Sequence, residues 1–138
     1  MSRVTDTALA RWPLVTLDVG QLDPVTGARQ VGEVLTAALE RREPFSAVIR
    51  MPEDRPRGMA GAGERVRLLK TLRPGLRERC AGLAFVLSPE AQRANAKTIR
   101  AGAKVWGCPT TATDDPAAAL AWARRRLAPL TPGTGEEY

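Results

Sequence analysis

"AGLAFVLSPE", residues 81–90, decides how the chain is read. A short apolar run ends in Ser88-Pro89-Glu90, the pattern of a buried strand that passes directly into a capped helix. Serine is a good N-cap, and proline is tolerated at the first helical position because its missing N–H has no partner there. The same device recurs on either side. Asp23-Pro24 follows "PLVTLDVG" (13–20), and Asp115-Pro116 follows "CPTTATD" (108–114). In the first of these strands, Val15, Leu17 and Val19 alternate with Leu14, Thr16 and Asp18.

The intervening segments complete the pattern. Val31, Val34, Leu35, Ala38 and Leu39 recur at helical spacing after Asp23, and "FSAVIRM" (45–51) follows as a short buried strand. Val66, Leu69, Leu72 and Leu76 predict the apolar face of a second helix. Pro74-Gly75 is expected to kink or split it. A third helix is predicted from Ser88 to about residue 102. A last strand at 108–114, with Cys108-Pro109, suits a sheet edge. The arginines 124–126 fall in the last turn of a fourth helix, "AAALAWARRRL", where they complement its dipole. Residues 3–11 are read as a shorter extended piece pairing with the first strand as a hairpin. The predicted fold is therefore a single-domain α/β sandwich with a small, mostly parallel or mixed sheet. It has four to five strands and about four helices over residues 1–127, followed by a flexible C-terminal tail at 128–138.

Composition narrows the function classes. The chain has 138 residues, enough for one hydrophobic core, and no run approaches a membrane span or a secretory signal, so a cytoplasmic protein is expected. It contains no histidine, which excludes histidine bases and histidine metal ligands. The two cysteines, Cys80 and Cys108, are too few for a disulfide framework or a zinc site and read as free buried thiols. No cofactor is implied. The net charge of +6 is uneven: residues 50–104 carry +8 and the remainder −2. Eighteen of the twenty-one basic residues are arginine.

The basic region opens with "RMPEDRPRGMAGAGERVRLLK" (50–70), between a strand and a helix. Gly58, Gly61 and Gly63 read G-x-x-G-x-G, the reverse of the dinucleotide fingerprint, and no Lys-Ser/Thr follows as in a Walker A loop. Arg55, Arg57, Arg65 and Arg67 are able to contact phosphate or carboxylate, but Glu53, Asp54 and Glu64 oppose an anion. Arg73, Arg77, Arg93, Lys97 and Arg100 extend the basic character. No aromatic residues are interleaved for stacking on bases, so nucleic acid is not the expected partner. For catalysis the candidates are Asp18, Asp114-Asp115 and Cys108, and a helix-capping role is sufficient for Asp115. Trp12, Trp106 and Trp122 are read as core or interface groups.

The order of elements resembles the STAS superfamily, the anti-sigma-factor antagonist fold, and its SpoIIAA-like branch in particular. The likeness rests on "PLVTLDVGQLDPVTGARQVGEVLTAALERRE", on "FSAVIRM", and on "LRERCAGLAFVLSPEAQRANAKTIRAGAKVWGCPTTATDDPAAALAWARRRL", and spans roughly residues 12–127. It implies a small sheet with packed helices, non-catalytic signalling and protein docking, with nucleotide or lipid-like ligands in some members. Phospho-regulated members carry a modifiable serine where the third strand meets its helix. The matching stretch here, "MPEDRPRGMAGAGE" (51–64), has no Ser, Thr or Tyr, so that switch does not carry over.

The expected function is a non-catalytic, regulatory protein-binding module. It docks a partner through Arg55, Arg57, Gly58, Met59, Gly61, Gly63, Arg65 and Arg67, with Met51 or Met59 in an apolar centre. The expected partner is a protein, either an acidic one or a second copy of the chain in a homodimer. Two alternatives stand beside it: a carrier of a lipid-like or nucleotide small ligand, and an enzyme built on carboxylate and arginine chemistry.

Overall fold

The structure, a computed structural model, describes residues 3–52 and 62–128, with side chains at 62–65 excepted. Four strands form one sheet in the order β1-β2-β3-β4: Leu14–Asp18, Phe45–Arg50, Cys80–Val86 and Thr110–Thr113. All three pairings are parallel. Seven helices occur among the described residues: α1 (Arg3–Ala8), α2 (Pro24–Glu40), α3 (Ala62–Arg79), α4 (Pro89–Ala94), α5 (Ala96–Arg100), α6 (Gly102–Trp106) and α7 (Pro116–Leu127). The α/β class and the four principal strands agree with the sequence pattern.

The predicted helix starts form as their chemistry requires. Asp23 Oδ1 accepts from the N–H groups of Val25 and Thr26 at 3.1 and 3.0 Å. Ser88 Oγ accepts from Ala91 N at 3.1 Å, and Asp115 Oδ1 from Ala117 N at 3.0 Å. Each cap satisfies donors that the first helical turn leaves open. At the other end of α2, Arg42 takes a left-handed φ of 55°, and its carbonyl accepts from Arg79 Nη1 at 2.8 Å.

Two cores lie on opposite faces of the sheet. Val15, Leu17, Ala47, Ile49 and Leu83 meet Val34, Leu35 and Ala38 of α2 and Leu72 and Leu76 of α3. On the other face, Leu14, Val48, Ala84 and Val86 meet Ala119, Ala123 and Leu127 of α7. Helices α2 and α3 share one face because successive right-handed crossovers between neighbouring parallel strands all fall on the same side. Among the described helices, α7, which follows the last strand, covers the other face.

Four expectations are corrected. Residues 3–8 are helical, not extended: Thr5, Ala8 and Leu9 are buried at i, i+3, i+4 spacing, and α1 packs on α2. There is accordingly no fifth strand and no hairpin among the described residues. Helix α3 is not split at Pro74 but continues through it, and Pro74 is exposed. Buried Leu72 and Leu76 anchor the helix on both sides of the proline. Its inner face is Leu68, Leu72 and Leu76, whereas Val66 is 53% exposed.

The single helix expected from 88 to 102 is three short ones. Asn95 Nδ2 donates to Ala91 O at 2.7 Å, and the backbone leaves helical geometry at Asn95 and Ala101. The bends bring Gly102 under Thr110 and Trp106 against Phe85, ring centroids 5.6 Å apart. The tail expected at 128–138 lies outside the described residues from 129 onward.

Candidate binding surfaces

The end of β2 is held by the sheet. Val19 N donates to Arg50 O at 2.9 Å, and Met51 N donates to Val86 O at 3.1 Å, which extends the ladder one residue past each strand. Met51 is half-buried and packs on the first core, so it is not an open contact group. Of the residues predicted to bind, Arg55, Arg57, Gly58, Met59 and Gly61 lie outside the described residues. Gly63 and Arg65 belong to the first turns of α3, and Arg67 is exposed on the same helix.

Beyond that turn, Val66, Lys70, Arg73 and Arg77 follow at i, i+4, i+7 and i+11, and all four are exposed. They form one stripe, turned away from Leu68, Leu72 and Leu76. The turn after α6 adjoins it: Gly107, with φ 86°, comes so close that a β-carbon there would stand 3.0 Å from Arg73 Cγ. Lys97, Arg100 and Lys104 on α5 and α6 are also exposed. The helical spacing of Val66 to Leu69 and Leu76 suggests a core position that the structure does not give it. The signal that assigns it outward is the tighter Leu68-Leu72-Leu76 repeat. Arg93, Lys97 and Arg100 do not share one helical face, since Arg93 lies on α4 and the other two on α5.

A second feature lies on the α7 face at the C-terminal ends of β1 and β2. It is an open groove of about 540 Å³, lined by Arg11, Thr16, Asp18, Val48, Arg50 and Leu120 among others. Asp18 and Arg50 are register partners on adjacent strands, as are Thr16 and Val48. Neither Arg11 nor Arg50 stood out in the sequence, although the alternation of "FSAVIR" sets Arg50 opposite Ile49. Asp18 ends β1 instead of standing mid-strand, and its Oδ1 accepts from Gly20 N at 2.8 Å.

The remaining catalytic candidates do not converge. Asp115 caps α7, Asp114 is exposed beside it, and no cluster of three potential metal ligands occurs among the described residues. Cys80 and Cys108 are buried free thiols, and Cys80 Sγ donates to Gly82 O at 3.4 Å. The neighbouring Cys108 and burial push the Cys80 thiol up, while Cys80 holds the Cys108 thiol down. The tryptophans serve packing. Trp12 stacks on Phe45 at 5.6 Å and donates from Nε1 to Glu43 Oε1 at 2.8 Å, and Trp122 packs against the second core.

No helix among the described residues is long and apolar enough to cross a membrane. No family model, no curated protein and no solved structure matches the chain.

Proposed function

We propose that the protein is a non-catalytic binding module that docks an acidic protein partner through the β2–α3 corner and the outer face of α3. The observation that carries this reading is the exposed stripe Val66, Lys70, Arg73 and Arg77, with Arg67 beside it. Three clustered cations steer an acidic partner and set its orientation, and an exposed valine provides apolar area at one end of the stripe. Charge complementarity selects an acidic surface over a second copy of this basic face. A protein is favoured over nucleic acid because no large aromatic is exposed among the described residues to stack on bases. The element order that resembles the STAS superfamily supports the same class of function.

The test is affinity purification from the source cells with wild type and with the Lys70→Glu/Arg73→Glu variant, followed by titration of the purified binder. Capture that survives nuclease treatment, with affinity reduced at least about tenfold by charge reversal and unchanged circular dichroism, supports the reading. Capture indifferent to charge reversal, or abolished by nuclease, overturns it. Charge reversal at Arg57 and Arg65 extends the test to the segment before α3 and to its first turns.

A further inference from the structure

We propose that the groove at the C-terminal ends of β1 and β2 binds a small amphipathic monocarboxylate, a single anionic head on a compact apolar body. The site is separate from the α3 stripe and exists because the second face of the sheet is only partly covered. Leu14, at the start of β1, is buried, but Thr16 is half-exposed and Asp18 exposed, so shelter is lost toward the C-terminal end of the strand. What remains is a trough between the first turns of α7, at Pro116 and Leu120, and the segment after α1 that carries Arg11.

Strand register orders its chemistry in two rows. The inner row, Thr16 beside Val48, is mainly apolar and continues into Ala84. The outer row, Asp18 beside Arg50 and then Val86, carries the charge at the strand ends. Arg11, from the segment after α1, adds a second guanidinium to the lining. Two cations against one carboxylate leave one net positive charge, and Asp18 Oδ1 is already occupied by the Gly20 N–H. A monoanion balances that charge, whereas the second charge of a phosphate monoester would face Asp18 uncompensated. Guanidinium matches a carboxylate with paired N–H donors. Val48, Val86 and Leu120 offer the apolar body a floor and a wall. At about 540 Å³ the groove is of a size that takes a small organic molecule.

The experiment titrates the full chain with hexanoate and phenylacetate as probes, with hexanol and 2-phenylethanol as their uncharged counterparts, followed by amide NMR shifts. The expected result is saturable binding of the carboxylates with a Kd of about 1 mM or tighter, with shifts centred on Thr16, Val48, Val86 and Leu120. The alcohols bind at least about tenfold more weakly, and Arg11→Gln weakens hexanoate by a similar factor while Arg125→Gln leaves it unchanged. Arg50→Gln repeats the Arg11 result from the strand side, so a folding defect in either variant leaves the other as the test. Equal affinity for the alcohols, equal competition by inorganic phosphate, shifts centred elsewhere, or no binding overturns the proposal. The Lys70→Glu/Arg73→Glu variant is expected to bind hexanoate normally, which separates failure of this site from failure of the docking surface.

Discussion

Gly82 lies beneath Trp122: a β-carbon at position 82 would stand 2.7 Å from Cη2 of the indole and 2.8 Å from Cζ3. The glycine therefore serves β3 as a gap that a large ring fills. The register between β2 and β3 shifts at the same place. Phe45 pairs with Cys80 and Ser46 with Gly82, so Ala81 is the extra residue. Its carbonyl accepts from Arg126 Nε at 3.2 Å, which ties the C-terminal part of α7 to the bulge beside the ring it carries.

Gly82→Ala is expected to destabilise the protein by about 1–3 kcal/mol, because the methyl group must displace the indole or the strand. Urea unfolding measures the loss, and a shift in tryptophan emission reports the moved ring. Trp122→Leu in the same background should recover part of it, since the smaller side chain vacates the contested space. An unchanged unfolding midpoint for Gly82→Ala would refute the contact.

Ser46 is fully buried on β2, and its Oγ has no hydrogen-bond partner among the described residues. A buried hydroxyl without a partner loses its hydration and gains nothing in return. Ser46→Ala is therefore expected to raise stability by about 1 kcal/mol, reading out as a higher urea midpoint with an unchanged m-value. A clear loss of stability would mean that the hydroxyl is satisfied.

The Asp23 carboxyl is held below its usual value of 3.8, first by the hydrogen bond from the Thr26 N–H and then by that from the Thr26 hydroxyl. Because the folded value is depressed, its contribution to stability is complete above the unfolded value. It is lost as pH falls through the folded one. Asp23→Asn keeps an amide oxygen for the cap but no charge to titrate. The stability gap between wild type and this variant should therefore be constant near neutrality and close in the acid range. A gap independent of pH would show that the charge contributes nothing.

Local chemistry made much of the architecture legible. Each cap-then-proline pair, at Asp23, Ser88 and Asp115, names a helix start from two adjacent residues, and each strand run before it is apolar enough to read alone. The segments that misled share a different property. Pro74 breaks a helix in isolation, yet α3 continues through it with Leu72 and Leu76 buried on either side, since tertiary burial outweighs one lost hydrogen bond. Residues 3–8 have no strong alternation, and their helix is decided by packing on α2. Val66 fits an apolar stripe by spacing but faces outward, because the register of α3 on the sheet is set by Leu68, Leu72 and Leu76 together.

The candidate sites divide in the same way. The basic excess over residues 50–104 is a property of composition, visible before any fold. Which cations gather on one face depends on helix phase, which brings Lys70, Arg73 and Arg77 together and separates Arg93 from Lys97. The groove was not legible at all. Arg50 is distant from Arg11 and Asp18 in the chain, and only parallel register sets it beside Asp18. By itself, the sequence determined the α/β alternation, three helix starts and the sign of the charged surface, because these follow from short-range preferences and composition. The tertiary structure alone decided which face each helix covers and where the sheet stays open, because those depend on crossover handedness and on packing between residues far apart in sequence.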